Sequence, residues 1–350
     1  MPTVLVPTDN PMLIPGLTAG YASNGWDVIV GKANFFNMAH RADMLHCHWP
    51  EEFSDWRLPS TRQMDRIRDA LQWWSNRCPA VISVHNLYPH GFEGNPTYRK
   101  LYDIFYERCR VILHHNEKLR RLVLDEFPSA RRQNNVTTTY FNNDHLLPAK
   151  LDREACRRSF GFQPEDFVVL VFGMLRSWNE VALIHRAYAL AKIPRKRLLM
   201  AGRYHEPMNR VKRRVRNLQM KLWARSAGAI VSQGYIEDEE VHRYVEACDA
   251  LLVPRIRDMN SGLLCLGLTF GRALVAPSHA AYAEQLEGTT NFFYDSGDAR
   301  SMAGAIERAS AADRDLIARQ NRALADRWSW SGIACAAIDA AGLTAAVTNS

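Results

Sequence analysis

The chain has 350 residues, 47% apolar and 23% charged, with a formal net charge of +7. That length exceeds the usual span of one hydrophobic core, so two domains of roughly 150 residues are expected, and the composition excludes a disordered, fibrous or membrane-spanning chain. Seven scattered cysteines without metal or redox spacing point to a reducing compartment, and the mild positive charge suits an anionic partner (nucleic acid, a lipid surface or a phosphorylated small molecule) without selecting one.

The first residues carry no basic stretch followed by an apolar core, and no apolar run approaches a membrane span, so a cytoplasmic protein is expected. Thr3 to Pro7 reads as a short strand opening onto Thr8-Asp9-Asn10-Pro11, Leu17 to Ala22 as a helix, and Val28 to Val30 as a second strand. A strand at Met44 to His46, an amphipathic helix at Thr61 to Trp74, and a strand at Ala80 to Val84 follow. A helix at Thr97 to Arg108, a strand at Val111 to His114 and a helix at Glu117 to Glu126 complete the first series, an alternation that implies a parallel sheet covered by helices. Asn134 to Leu151 is polar and contains Pro148, which places a linker there and a first domain at 1–148.

The second series, 149–326, begins with a strand at Val168 to Phe172 ending at Gly173, a helix at Val181 to Ala191 and a strand at Arg197 to Ala201. A basic helix at Met208 to Ala224 follows, then strands at Ala229 to Ser232, Ala250 to Val253 and Ala273 to Ala276, with helices at Asp238 to Ala247 and Gly262 to Thr269 between them. Trp328-Ser329-Trp330 precedes a last helix, and the segment 327–350 is expected to return to the first domain. The pattern is α/β: two doubly wound, Rossmann-like domains in tandem with a cleft between them.

In such sheets ligands bind beyond the carboxyl ends of the strands. In the first half those loops carry carboxylates, imidazoles and aromatics: Asp9; His48, Trp49 and Glu51; His85 and Asn86. These types suit a saccharide acceptor, His48, Trp49 and Asn86 holding it while Asp9, Glu51 or His85 takes a hydroxyl proton. In the second half they carry Gly173 and Arg176, Arg203, Tyr235, Arg255, and Asn260-Ser261-Gly262 at the start of a helix, which suit a diphosphate through guanidinium charge and free helix amides. Asn260 and Ser261 also read as an ordinary helix cap, and Asp9 and Glu51 as a cap and a solvated loop charge.

A zinc site at His46, His48 and His85 is not expected: His46 and His48 are taken to face opposite sides of their strand, and no thiolate or carboxylate completes a ligand spacing. No metal or other cofactor is expected. Arg210 to Arg225 holds seven Lys or Arg and no acid, with Val211, Val215, Leu218 and Leu222 spaced as an inner helix face; beyond a solvated cationic surface, this suits peripheral contact with an anionic inner membrane rather than nucleic acid.

His46-Cys47-His48-Trp49-Pro50-Glu51, Val84 to His90, Phe172-Gly173-Met174-Leu175-Arg176, and Asn260-Ser261-Gly262 with Leu263 to Pro277 resemble, in this order, the xanthan-type β-mannosyltransferases of glycosyltransferase family 94. The resemblance implies the GT-B fold and a metal-independent hexosyltransferase of exopolysaccharide synthesis, moving mannose from GDP-mannose to a polyprenyl-diphosphate-linked oligosaccharide. It implies donor-diphosphate contacts at Arg176 and Asn260 to Gly262. There are departures: Asn179-Glu180 stands where the family has Lys-Gly, and Met259 and Gly267 stand where retaining GT-B enzymes carry two glutamates, which favours inversion. The missing cation also leaves a second reading, a non-catalytic saccharide-binding or partner subunit of the same fold.

Overall fold

The computed structural model describes residues 1–89, 91–148, 152–204, 210–255 and 261–343. The chain forms two units, one of Met1–Phe141 with Trp328–Ser350 and the other of Asn142–Arg327.

In the first unit the apolar runs form strands β1 (Thr3–Val6), β2 (Asp27–Val30), β3 (Met44–Cys47), β4 (Ala80–Val84) and β5 (Val111–His114), and β6 (Asn134–Thr137) adds the edge. All pair in parallel in the order β2-β1-β3-β4-β5-β6. The segment Asn134–Thr137, read from its polarity as the start of a linker, pairs with β5 instead; as an edge strand with no residue fully buried, it does not need an apolar sequence. Helices α1 (Ile14–Ala22), α2 (Lys32–Phe35), α3 (Thr61–Ser75), α4 (Pro96–Arg108) and α5 (Glu117–Glu126) lie between the strands. Side-chain caps start the longer ones: Ser60 and Gln63 form a capping box on α3, and Asn95 and Asn116 cap α4 and α5.

The second unit runs α6 (Arg153–Ser159), β7 (Phe167–Leu175), α7 (Trp178–Leu190), β8 (Lys196–Tyr204), α8 (Arg210–Ser226), β9 (Ile230–Gln233), α9 (Asp238–Ala247) and β10 (Ala250–Leu252). It continues through α10 (Gly262–Thr269), β11 (Ala273–Pro277), α11 (Ala280–Gln285), β12 (Phe292–Tyr294), α12 (Ala299–Ala311) and α13 (Arg314–Arg327). The parallel sheet order is β12-β11-β10-β7-β8-β9. Strands β7 and β8 continue past Gly173 and Gly202, which lie opposite each other at φ +81° and +136°. A Cβ on Gly202 would stand 2.0 Å from the Gly173 carbonyl oxygen, so the backbones meet there as only glycine permits.

The last helix, α14 (Trp330–Ala340), buries Ile333, Ala334, Ala337 and Ile338 in the core of the first unit, with Val4, Leu17 and Leu113. Its approach to α1 depends on small residues. Any Cβ on Gly20 would lie 2.5 Å from the Trp330 carbonyl oxygen, and one on Gly16 would overlap the Trp330 indole. The Trp330 ring in turn stacks on Phe141 at 4.2 Å. Gly20→Ala meets backbone, which cannot rotate away. It should destabilise the first unit by about 1–3 kcal/mol, several degrees of melting temperature by circular dichroism; an unchanged melt would contradict the close helix contact.

Candidate functional site

In the first sheet the strand order reverses between β1 and β3, the place where doubly wound sheets open a crevice at their carboxyl ends. The loop after β1 brings Thr8 and Asp9 to it, and the loop after β3 brings His48, Trp49 and a 3-10 turn, Pro50–Ser54. Glu52, buried on that turn, ties the two loops: it accepts the Thr8 hydroxyl at 2.8 Å and the Asp9 amide at 2.6 Å. Burial raises the Glu52 pKa, an effect these two donors oppose. The Asp9 carboxylate itself is 59% exposed. Its Oδ1 accepts the Lys32 amide at 2.9 Å, and Lys32 Nζ stands 3.9 Å from Oδ2 while pairing with Asp55 at 2.5 Å.

Beside these loops four imidazoles collect at the ends of β3, β4 and β5. His46 lies between the Tyr21 hydroxyl at Nδ1 (2.7 Å) and the Ser83 hydroxyl at Nε2 (2.8 Å). His48 Nδ1 and His85 Nε2 share a hydrogen bond of 3.0 Å, and His85 lies 5.1 Å from the His115 ring. The rings of His46 and His48 are 4.5 Å apart, so the expectation that they face opposite sides is wrong: residues two apart on a strand share a face. Among the described residues no three His, Cys, Asp or Glu side chains are grouped to hold a metal ion. Burial, and after it the neighbouring imidazoles, push these histidines down, His46 to about 3 and His115, by burial and His114, to about 4, so all four are neutral near pH 7. Trp49 covers the group by stacking on His85 at 4.3 Å, and half-buried Asn86 follows.

Glu51, neighbour to Glu52, takes a different environment. It is buried and accepts the Tyr102 hydroxyl of α4 at 2.8 Å, with Tyr98 and Tyr106 one turn away on the same helix face. Burial pushes its pKa to about 7. Of the three carboxylate or imidazole candidates, Asp9 alone is exposed; Glu51 belongs to a tyrosine-lined core, and His85 to the imidazole group.

The second sheet reverses between β7 and β10. Arg176 follows β7 and Arg255 follows β10, and a residue the sequence showed only as a departure joins them. Glu180, buried at the start of α7, accepts the Arg176 amide at 2.8 Å and pairs with Arg255 Nη1 at 3.2 Å. Arg255 is therefore buried as the counter-charge of a glutamate. Ser261 caps α10 by accepting the Leu263 amide, and the exposed Gly262 has open space where a side chain would be. Asn260 lies outside the described residues, as does Met259. Arg203, at the end of β8, stands over the exposed Tyr235 ring at 5.2 Å, so these two candidates come together near Gly173 and Gly202 only through neighbouring strand ends. Gly267 packs inward: a Cβ there would lie 2.5 Å from the Leu274 side chain, leaving no room for a glutamate.

Helix α8 corrects a further expectation. Val211, Val215, Leu218 and Leu222, read as the inner face, are 70%, 49%, 58% and 60% exposed. Met220, Trp223 and Ala224 pack inward on the opposite side instead. The outward stripe is flanked by exposed Lys212 and Arg214. Among the described residues no helix is long and apolar enough to cross a membrane.

No family model matches the chain. By sequence it is similar to two proteins of Xanthomonas campestris pv. campestris, each a GDP-mannose:glycolipid 4-beta-D-mannosyltransferase. One is 25% identical over 331 residues, 89% of this chain and 85% of the relative; the other is 26% identical over 330 residues with the same coverage. By fold it is similar to sucrose-phosphate synthase from Thermosynechococcus elongatus, with a TM-score of 0.71 and 13% identity over 95% of this chain and 96% of that one. It is also similar to Anabaena HepE in complex with UDP and glucose, with a TM-score of 0.70 and 15% identity over 95% and 97%. The fold is that of GT-B glycosyltransferases, and the chain's relatives by sequence are sugar transferases.

The Glu51 environment has a measurable consequence. A carboxyl titrating near 7 when folded and near 4.5 when unfolded is protonated in the folded state alone between those values. Its stabilising contribution is therefore complete below about 4.5 and is lost as pH rises through 7. Glu51→Gln keeps an acceptor for Tyr102, so relative to that variant the wild type should lose roughly 3 kcal/mol between pH 5 and pH 8. Unfolding titrations at several pH values check this, and a gap that does not move with pH would contradict the assignment.

Proposed function

We propose that this chain, a GT-B homologue of sugar transferases, moves a hexosyl group with inversion from a nucleotide sugar to a polyprenyl-diphosphate-linked oligosaccharide, the group being mannosyl from GDP-mannose. The observation that carries the reading is the sequence similarity to GDP-mannose:glycolipid mannosyltransferases, which runs through both units. In this reading the second unit takes the donor. Arg176, the Ser261-Gly262 turn and the positive end of the α10 dipole offset the charge on the leaving diphosphate, and the Arg203 and Tyr235 pair supplies a cation and a ring face beside it.

The first unit takes the acceptor, with His48, Trp49, His85 and Asn86 along its wall. Asp9 is the base: its exposed carboxylate takes the proton of the acceptor hydroxyl as that oxygen bonds to the anomeric carbon, and the bond to the diphosphate breaks with its electron pair leaving on GDP. Glu52 and Lys32 hold Asp9 by its amide and its carboxylate. Neutral imidazoles beside it accept or donate hydrogen bonds to sugar hydroxyls without competing for the charge.

The outward stripe of α8, apolar between cations, fits the surface of an anionic membrane, where a lipid-linked acceptor resides.

Two measurements test these assignments. Asp9→Asn should lower kcat by about 10²–10⁴ with GDP binding kept, while Glu51→Gln retains at least about a tenth of the rate; Asp9→Asn activity within threefold of wild type would favour the non-catalytic reading or another base. In flotation with phosphatidylglycerol liposomes, Lys212→Gln with Arg214→Gln should weaken binding roughly tenfold or more, and Leu218→Asp with Leu222→Asp should abolish it. Unchanged flotation would discard the membrane face.

A further inference from the structure

Asp55 and Trp56 are successive non-glycine residues in the left-handed region, at φ +56° and +59°. L-residues resist that conformation, and it persists only where surroundings enforce it. Here they do. The Trp56 amide donates to the Glu51 carbonyl at 2.9 Å, the Asp55 amide donates to the Glu52 carbonyl at 3.1 Å, the Ser54 hydroxyl donates to the Arg57 carbonyl at 2.7 Å, and Lys32 pairs with the Asp55 carboxylate.

All this fixes an indole that burial does not reward, since Trp56 is 51% exposed. The ring stands 5.8 Å from Trp49, tilted by 52°, and Trp49 stacks on His85. A ridge of rings thus leads from the imidazole group to the surface, bordered by the carboxylate of Asp55 and, through Lys32, that of Asp9.

We propose that Trp56 is an outer saccharide subsite of the first unit, its ring face stacking on a pyranose of the oligosaccharide one or more residues away from the hydroxyl that reacts. The axial C–H bonds on one face of a pyranose match the negative face of an indole, while hydroxyls around the rim suit carboxylate and ammonium neighbours. The carboxylates beside the indole disfavour a phosphorylated ligand or an anionic lipid surface at this point. The inference rests on the first unit being the acceptor side.

Trp56→Gly removes the ring and relieves the backbone, and Trp56→Phe keeps a ring in the same backbone. Calorimetric titration with maltotriose, cellotriose and mannotriose, in parallel with GDP, reads saccharide binding without requiring transfer. At least one trisaccharide should bind the wild type, at least fivefold more weakly Trp56→Gly, and within twofold of wild type Trp56→Phe, with GDP affinity constant throughout. Trp56→Gly should melt no lower than wild type. A lower melt would make Trp56 a packing residue, and binding by none of the three sugars, equal binding by wild type and Trp56→Gly, or loss of liposome flotation in place of sugar binding would each overturn the subsite. Failure of GDP-mannose as donor, read separately as absent transfer, leaves this outcome standing on its own.

Discussion

A parallel sheet whose strand order reverses leaves an uncovered gap between the two strands at the reversal, and in both units a buried glutamate spans it. Glu52 reaches from the end of β3 to Thr8 and Asp9 at the end of β1; Glu180 reaches from the start of α7, just beyond β7, to Arg255 at the end of β10. A carboxylate out of water needs donors or a counter-charge, so each of these side chains dictates what its neighbours present. Glu52 is met by a hydroxyl and an amide, which leaves Asp9 facing solvent. Glu180 is met by a guanidinium and by the Arg176 amide, which leaves the side chain of Arg176 at the strand end.

This division also explains how charge is distributed. In the first unit the crevice is backed by neutral groups, with imidazoles and a glutamate whose charged forms burial disfavours. In the second, the buried Arg255 is balanced by Glu180 within the protein, and Arg203 is exposed at a strand end. Under the proposed assignment, an uncharged saccharide and a charged diphosphate meet different electrostatic surroundings in the two units.

Much of this was legible in the sequence. The strands β1, β4, β5 and β7 are predominantly apolar runs, as strands buried on both faces tend to be. Two edge strands escaped, β6, which reads Asn-Asn-Val-Thr, and β12, which has three residues. Glu51 and Glu52 are indistinguishable as letters, yet consecutive side chains on a tight turn point apart, one to α4 and one to β1. Helix α8 misled because it carries two apolar sets, and spacing alone cannot say that Met220, Trp223 and Ala224 win the core while the longer stripe faces out. Glu180 was noticed only as half of the Asn179-Glu180 pair that replaces Lys-Gly; its role depends on Arg255, 75 residues later.

The return of α14 has a consequence for synthesis. The core of the first unit joins Val4 and Leu17 to Ile333 and Ile338, so the face of α1 bearing Gly16 and Gly20 stays bare while the whole of the second unit is being made. Emerging chains thus carry a nearly complete sheet with an exposed apolar seam, the kind of surface on which nascent proteins associate wrongly. A chain cut before Trp328 would preserve that state permanently, which makes the terminal helix a practical boundary for anyone seeking to express the first unit by itself.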